Sequence, residues 1–73
     1  LNMKLSARNQ LKGKIIGIEP GAVNAMVTMD VGGGNIISAT VSMAAVNDLE
    51  LEAGKDAYAI IKASSVMIGV NER

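Results

Sequence analysis

From Ala22 to Val31 the chain alternates without a break. Val23, Ala25, Val27, Met29 and Val31 fall on one side, and Ala22, Asn24, Met26, Thr28 and Asp30 on the other. A period of two is the pattern of a strand with one face buried. Gly32-Gly33-Gly34-Asn35 follows, residue types that tolerate positive φ and suit a hairpin tip. Alternation resumes from Ile36 to Ser42, with Ile37, Ala39 and Val41 on one side, so the two runs form a hairpin. A phosphate-cradling loop is the competing reading of the three glycines. No Gly-Lys-Ser/Thr follows them and no helix starts there, so the hairpin is preferred.

The flanking segments extend the same pattern. A first strand runs from Gln10 to Glu19 and ends at the Pro20-Gly21 turn. Gly13 and Gly17 lie inside it and mark a bend, a bulge or a close backbone approach. Ser42 is suited to cap a helix, and Met43, Val46 and Leu49 give that helix an apolar stripe. Leu51 to Lys55 reads as a turn with Gly54 in the left-handed region. A fourth strand spans Asp56 to Ala63 and a fifth Ser65 to Val70. The predicted fold is all-β: a five-stranded OB-like Greek-key barrel with one short helix between strands three and four. An SH3-like barrel is the main rival. One domain is expected over residues 3–70, with Leu1-Asn2 and residues 71–73 as flexible ends. Met3 is a candidate native start, with Leu1-Asn2 either an expression remnant or an upstream extension.

Composition adds an expectation about assembly. A domain of roughly this size buries only about 60% of the surface its unfolded chain exposes and is marginal alone. The 73 residues include no Cys and no His, so disulfides and the usual zinc ligand sets are absent. Hydrophobic residues make up 49% of the chain, yet the only aromatic is Tyr58. Oligomerisation is the remaining way to cover an aliphatic surface of that size. Seven basic and seven acidic residues balance to zero, which argues against a nucleic-acid or anionic-membrane partner. Lys12 and Lys14 read as a solvated strand face. No apolar run approaches the roughly 18 residues of a membrane span, and no signal peptide is visible, so a cytoplasmic location is expected.

The chemistry on offer is binding, with no enzyme expected. Without His or Cys the usual nucleophile–base pairs are missing. Asp48, Glu50, Glu52 and Asp56 cluster around the helix end and the next turn, where they keep a surface soluble. Base-stacking aromatics are lacking. Two polar segments at opposite ends of the chain stand out: Ser6-Ala7-Arg8-Asn9-Gln10-Leu11 and Lys62-Ala63-Ser64-Ser65. Arg8 and Lys62 offer charge. Ser6, Ser42, Ser64 and Ser65 offer hydroxyls, and the backbone at Ala7-Arg8 and at the Ser42 helix start offers N–H groups. Such donors suit a small tetrahedral anion. Taken singly each residue is ordinary, and only the fold can unite them.

Ser6-Ala7-Arg8-Asn9-Gln10-Leu11-Lys12-Gly13-Lys14, Gly21-Ala22-Val23-Asn24-Ala25, Val41-Ser42 and Ile61-Lys62-Ala63-Ser64-Ser65-Val66-Met67-Ile68 together resemble the molbindin (Mop) family of small molybdate-binding proteins. The same TOBE/OB-type module occurs at the C-terminus of molybdate-responsive regulators and transporter ATPases. The resemblance implies a hexamer built as a trimer of dimers, binding molybdate or tungstate at subunit interfaces. The anion would be held by hydrogen bonds, with no direct protein ligand to the metal and no organic cofactor. By position, Ser6, the Ala7-Arg8 backbone, Lys62 and Ser64 or Ser65 of one subunit would join Ser42 and the Ala45 backbone of its neighbour. Some relatives carry a hydroxyl at the position of Ala45, where this chain has only its N–H. A second site near the threefold axis would use Gly21, Ala22, Val23 and Asn24. The implied role is molybdenum storage or homeostasis. The alternatives are a detached molybdate-sensing domain and an oligonucleotide-binding OB module.

Overall fold

The computed structural model describes residues 6–72. Leu1-Asn2, Met3 and Arg73 therefore lie outside the described residues. The chain forms β1 (Asn9–Pro20), β2 (Asn24–Gly32), β3 (Asn35–Ser42), a short helix α1 (Met43–Asp48), β4 (Asp56–Ile61) and a 3-10 helix over Ala63–Ser65. The strands make one antiparallel sheet in the order β3-β2-β1-β4.

The predicted hairpin is present. Gly33 and Gly34 both have positive φ, 63° and 79°, at its tip. A two-residue turn with two such conformers matches the right-handed twist of the strands it joins. The Asp30 carboxylate accepts from Gly32 N at 2.8 Å, and Asn35 Nδ2 donates to Gly32 O at 3.1 Å, which hold the tip. Gly13 is the close-approach glycine: a Cβ there would overlap the Asp30 carbonyl oxygen. Gly17 has open space around it and instead follows a bulge, since the β1–β2 register slips between Ile15 and Gly17. The slip bends β1, which pairs with β2 along one edge and β4 along the other, and the sheet curls.

The core sits inside that curl. Ile15, Ala25, Val27, Met29 and Val46 are its buried members. Ile18, Val31, Val41, Leu51, Ala57 and Ala59 pack on it while remaining half-buried. The alternation of β2 thus reports its buried face, apart from Val23. That residue was expected on the inward face, but it is 73% exposed. Gly21 N donates to Asn24 O at 2.8 Å, closing the loop before the strand begins, and the Val23 carbonyl is turned to accept from Met43 N at 2.8 Å.

The strand count differs from the expectation: among the described residues there are four strands, and their sheet does not close into a five-stranded barrel. Strand four ends at Ile61, because the chain tightens into the 3-10 turn, with Ser65 N bonded to Lys62 O and Val66 N to Ala63 O. That turn redirects the expected fifth strand, so residues 66–70 run without a ladder partner. Met67, Ile68 and Val70 are each close to nine-tenths exposed, and among the described residues β3 and β4 are the open edges of the sheet. Among the described residues no helix is long and apolar enough to cross a membrane.

Candidate functional site

The first polar segment leads into β1 and the second leaves β4. These strands pair antiparallel with Asn9 opposite Ile61. Extended by one residue, the register sets Arg8 across from Lys62. The fold therefore brings the two ends of the chain together. Asn9 pins the junction through its side chain, Nδ2 donating to Ile61 O at 3.2 Å. Beside it lies an open hollow of about 350 Å³ lined by Arg8, Asn9, Gln10, Leu11, Ile61 and Val66. Ser6, Lys62, Ser64 and Ser65 do not line it.

The sequence at this junction carries donors throughout. Lys62 is the residue before the 3-10 helix and caps it with no side-chain hydrogen bond. The first N–H groups of any helical turn lack an intrahelical acceptor, and those of Ala63 and Ser64 directly follow the Lys62 cation. Ser6, Arg8, Lys62, Ser64 and Ser65 are all exposed, and Ala7 is half-buried.

Ser42 and Ala45 lie elsewhere. Ser42 pairs with Asn24 at the start of β2, and Ala25 pairs with Pro20 at the far end of β1. Arg8 and Lys62 adjoin the Asn9 end. β1 has 12 residues, which at about 3.3 Å per residue is roughly 35 Å along the strand. One chain thus holds the two halves of the expected interface site at opposite ends of its sheet. Ser42 is the helix N-cap, its Oγ accepting from Ala45 N at 3.0 Å. This bond engages the Ala45 N–H that was expected to reach an anion, while the Ser42 hydroxyl proton remains available.

The fold also joins two residue sets that were expected at different sites. Gly21, Ala22, Val23 and Asn24 adjoin the Ser42 end, through the Asn24–Ser42 pair and the Met43 N to Val23 O bond. The Gly21 N–H is consumed in closing its loop.

Two positions were missed from sequence. Asn9 was read only as part of a motif; its side chain's bond to Ile61 O depends on the β1–β4 pairing, which no local signal gives. Lys55 was read as a turn residue, yet its Nζ donates to Leu49 O at 3.0 Å and Glu50 O at 2.9 Å. It satisfies carbonyls left over at the end of α1. The acidic residues there are exposed as expected, and Lys14 forms a surface ion pair with Asp56 at 3.3 Å. Among the described residues no three acidic, His or Cys side chains group as a metal site.

Comparison with known proteins gives concordant matches. The TOBE domain model matches residues 5–68. A probable molybdenum-pterin-binding protein of Haemophilus influenzae is 69% identical over 68 residues, covering 93% of this chain and 99% of the relative. The structure of MopII from Clostridium pasteurianum superposes with a TM-score of 0.85 at 40% identity, covering 92% of this chain and all of MopII. The molybdate-bound structure of the cytoplasmic molybdate-binding protein ModG gives a TM-score of 0.88 at 49% identity, covering 94% of this chain and 49% of that longer one.

Proposed function

The chain belongs to the TOBE-domain (molbindin, Mop) family, and from that premise we propose that it binds molybdate, as ModG does, and that its sites are completed where subunits meet. The carrying observation is the β1–β4 register, whose last pair, Asn9 with Ile61, brings the segments bearing Arg8 and Lys62 to the same end of the sheet, with Ser42 at the other end. Arg8, Lys62 and the neighbouring hydroxyl and N–H groups receive the anion. A second subunit supplies Ser42. The metal arrives already coordinated by its own oxygens, so donors suffice and no His or Cys is needed.

Exposure explains why a second subunit matters. Two unit charges 4 Å apart attract by about 1 kcal/mol in bulk water and about 4 kcal/mol at an effective dielectric of 20. With its cations solvated, an isolated chain gains little from an anion. Covering the site brings it toward the stronger regime. The exposed apolar residues 66–70 and the open edges β3 and β4 supply surface for such assembly, and the proposed end state is the hexamer. The proposed role is molybdenum storage or homeostasis in the cytoplasm, without catalysis and without a nucleic-acid or membrane partner, and tungstate is expected to substitute for molybdate.

Calorimetric titration of the purified protein with sodium molybdate tests the proposal. Saturable binding heat is expected. The absence of binding at millimolar anion, with the protein folded, would end it.

A further inference from the structure

Resting on the oxyanion reading above, we infer that Asn9 is a positioning residue of the anion site: its side-chain clamp on Ile61 holds Lys62 where the anion is received. Arg8 and Lys62 each lie one residue outside the last β1–β4 pair, Asn9 with Ile61, and neither belongs to a strand. Both are exposed, and among the described residues no ion pair holds either cation. Their placement therefore depends on how firmly that last pair is closed, and the ends of paired elements are where local opening starts. One side-chain bond reinforces this end: Asn9 Nδ2 donates to Ile61 O at 3.2 Å.

The bond falls on the peptide unit that matters for Lys62. Ile61 O shares a planar peptide with Lys62 N, so the amide restrains the plane from which the lysine leaves β4. Asn9 is half-buried, unlike the two exposed cations. Ordering Lys62 in advance lowers the cost of binding, because less freedom is lost when the anion arrives. A direct contact with the anion is the competing role. Asn9 lines the hollow beside Arg8, and its Nδ2 carries a second proton. The two roles differ in what they require. A clamp acts through Lys62 and already operates in the anion-free protein, whereas a direct contact operates only once the anion is present.

The test is a double-mutant cycle on the assembled protein, with sodium molybdate titrated by calorimetry. Asn9→Leu is expected to weaken binding about two- to tenfold, the effect of one net hydrogen bond. In the Lys62→Ala background the same substitution should change affinity little. The backbone order parameter of Lys62, measured by NMR without molybdate, should fall in Asn9→Leu. Unchanged affinity overturns the inference, as does an equal loss in both backgrounds. Weakened binding with an unchanged Lys62 order parameter also overturns it and assigns Asn9 a direct contact. Asn9→Val, whose branched side chain suits a strand, repeats the series. Failure of both variants to fold would make Asn9 a general stabiliser and overturn the inference as well. Each of these results leaves molybdate binding by the parent intact. If the parent itself gives no binding heat, the functional reading fails first, and the inference with it.

Discussion

Lys62 lies one residue beyond the β4 ladder, exposed, where its charge faces solvent and is available to the proposed anion site. A hydrogen bond to a charged group contributes about 1.5–3 kcal/mol, so Lys62→Ala is expected to weaken molybdate binding by roughly one to two orders of magnitude. The melting temperature should stay near that of the parent, because the side chain is exposed. Unchanged affinity in a titration would remove Lys62 from the site. Gly13 is the opposite case, a residue whose role is purely structural. Gly13→Ala drives a methyl group into the Asp30 carbonyl. Overpacking of this kind costs about 1–3 kcal/mol, measurable as a lower midpoint in urea unfolding.

At the scale of elements, α1 would join stability to the proposed binding through Ser42. Its Oγ caps the helix by accepting from Ala45 N, so its own proton is left for another acceptor. Ser42→Ala removes both and is expected to cost about 1 kcal/mol of stability together with molybdate affinity. Ser42→Asp separates the two functions. A carboxylate caps as well as a hydroxyl, but has no proton to donate and repels an anion. The Asp variant should therefore unfold near the parent midpoint while losing molybdate binding. Parent-like binding by it would place Ser42 outside the site.

The elements also mark how far the sequence could be read. The β2–β3 hairpin was legible because its alternation and its glycines are local signals that point to one structure. The junction of Arg8 with Lys62 was legible only as two motifs, since 50-odd residues separate them and strand register alone joins them. Val23 continues the alternation by type, but loop closure by Gly21 and Asn24 overrides that pattern. The segment from Ser65 to Val70 has the composition of a strand and no ladder to enter. Nothing in its residues reveals that the 3-10 turn before it has already turned the chain away. The cap on Ala45 was missed for a related reason: Ser42 was recognised as a cap, but its consequence for the Ala45 N–H needs the geometry.

For the whole molecule, the deciding feature is the length of the sheet. The molecule measures 43 Å along its longest axis, and the two donor groups lie at opposite ends of β1. Few side chains are fully buried, while Met67, Ile68 and Val70 stand in solvent. Marginal burial, open edges and the division of the proposed site would all be relieved by a second copy of the chain. The direct measurement is native mass spectrometry of the protein with and without molybdate, which reads chain count and bound anion in the same spectrum. A site shared between subunits requires molybdate on assembled species, with the six-chain form as the proposed end state, and none on the single chain. Molybdate retained by a monomer, or an assembly that binds none, would contradict it.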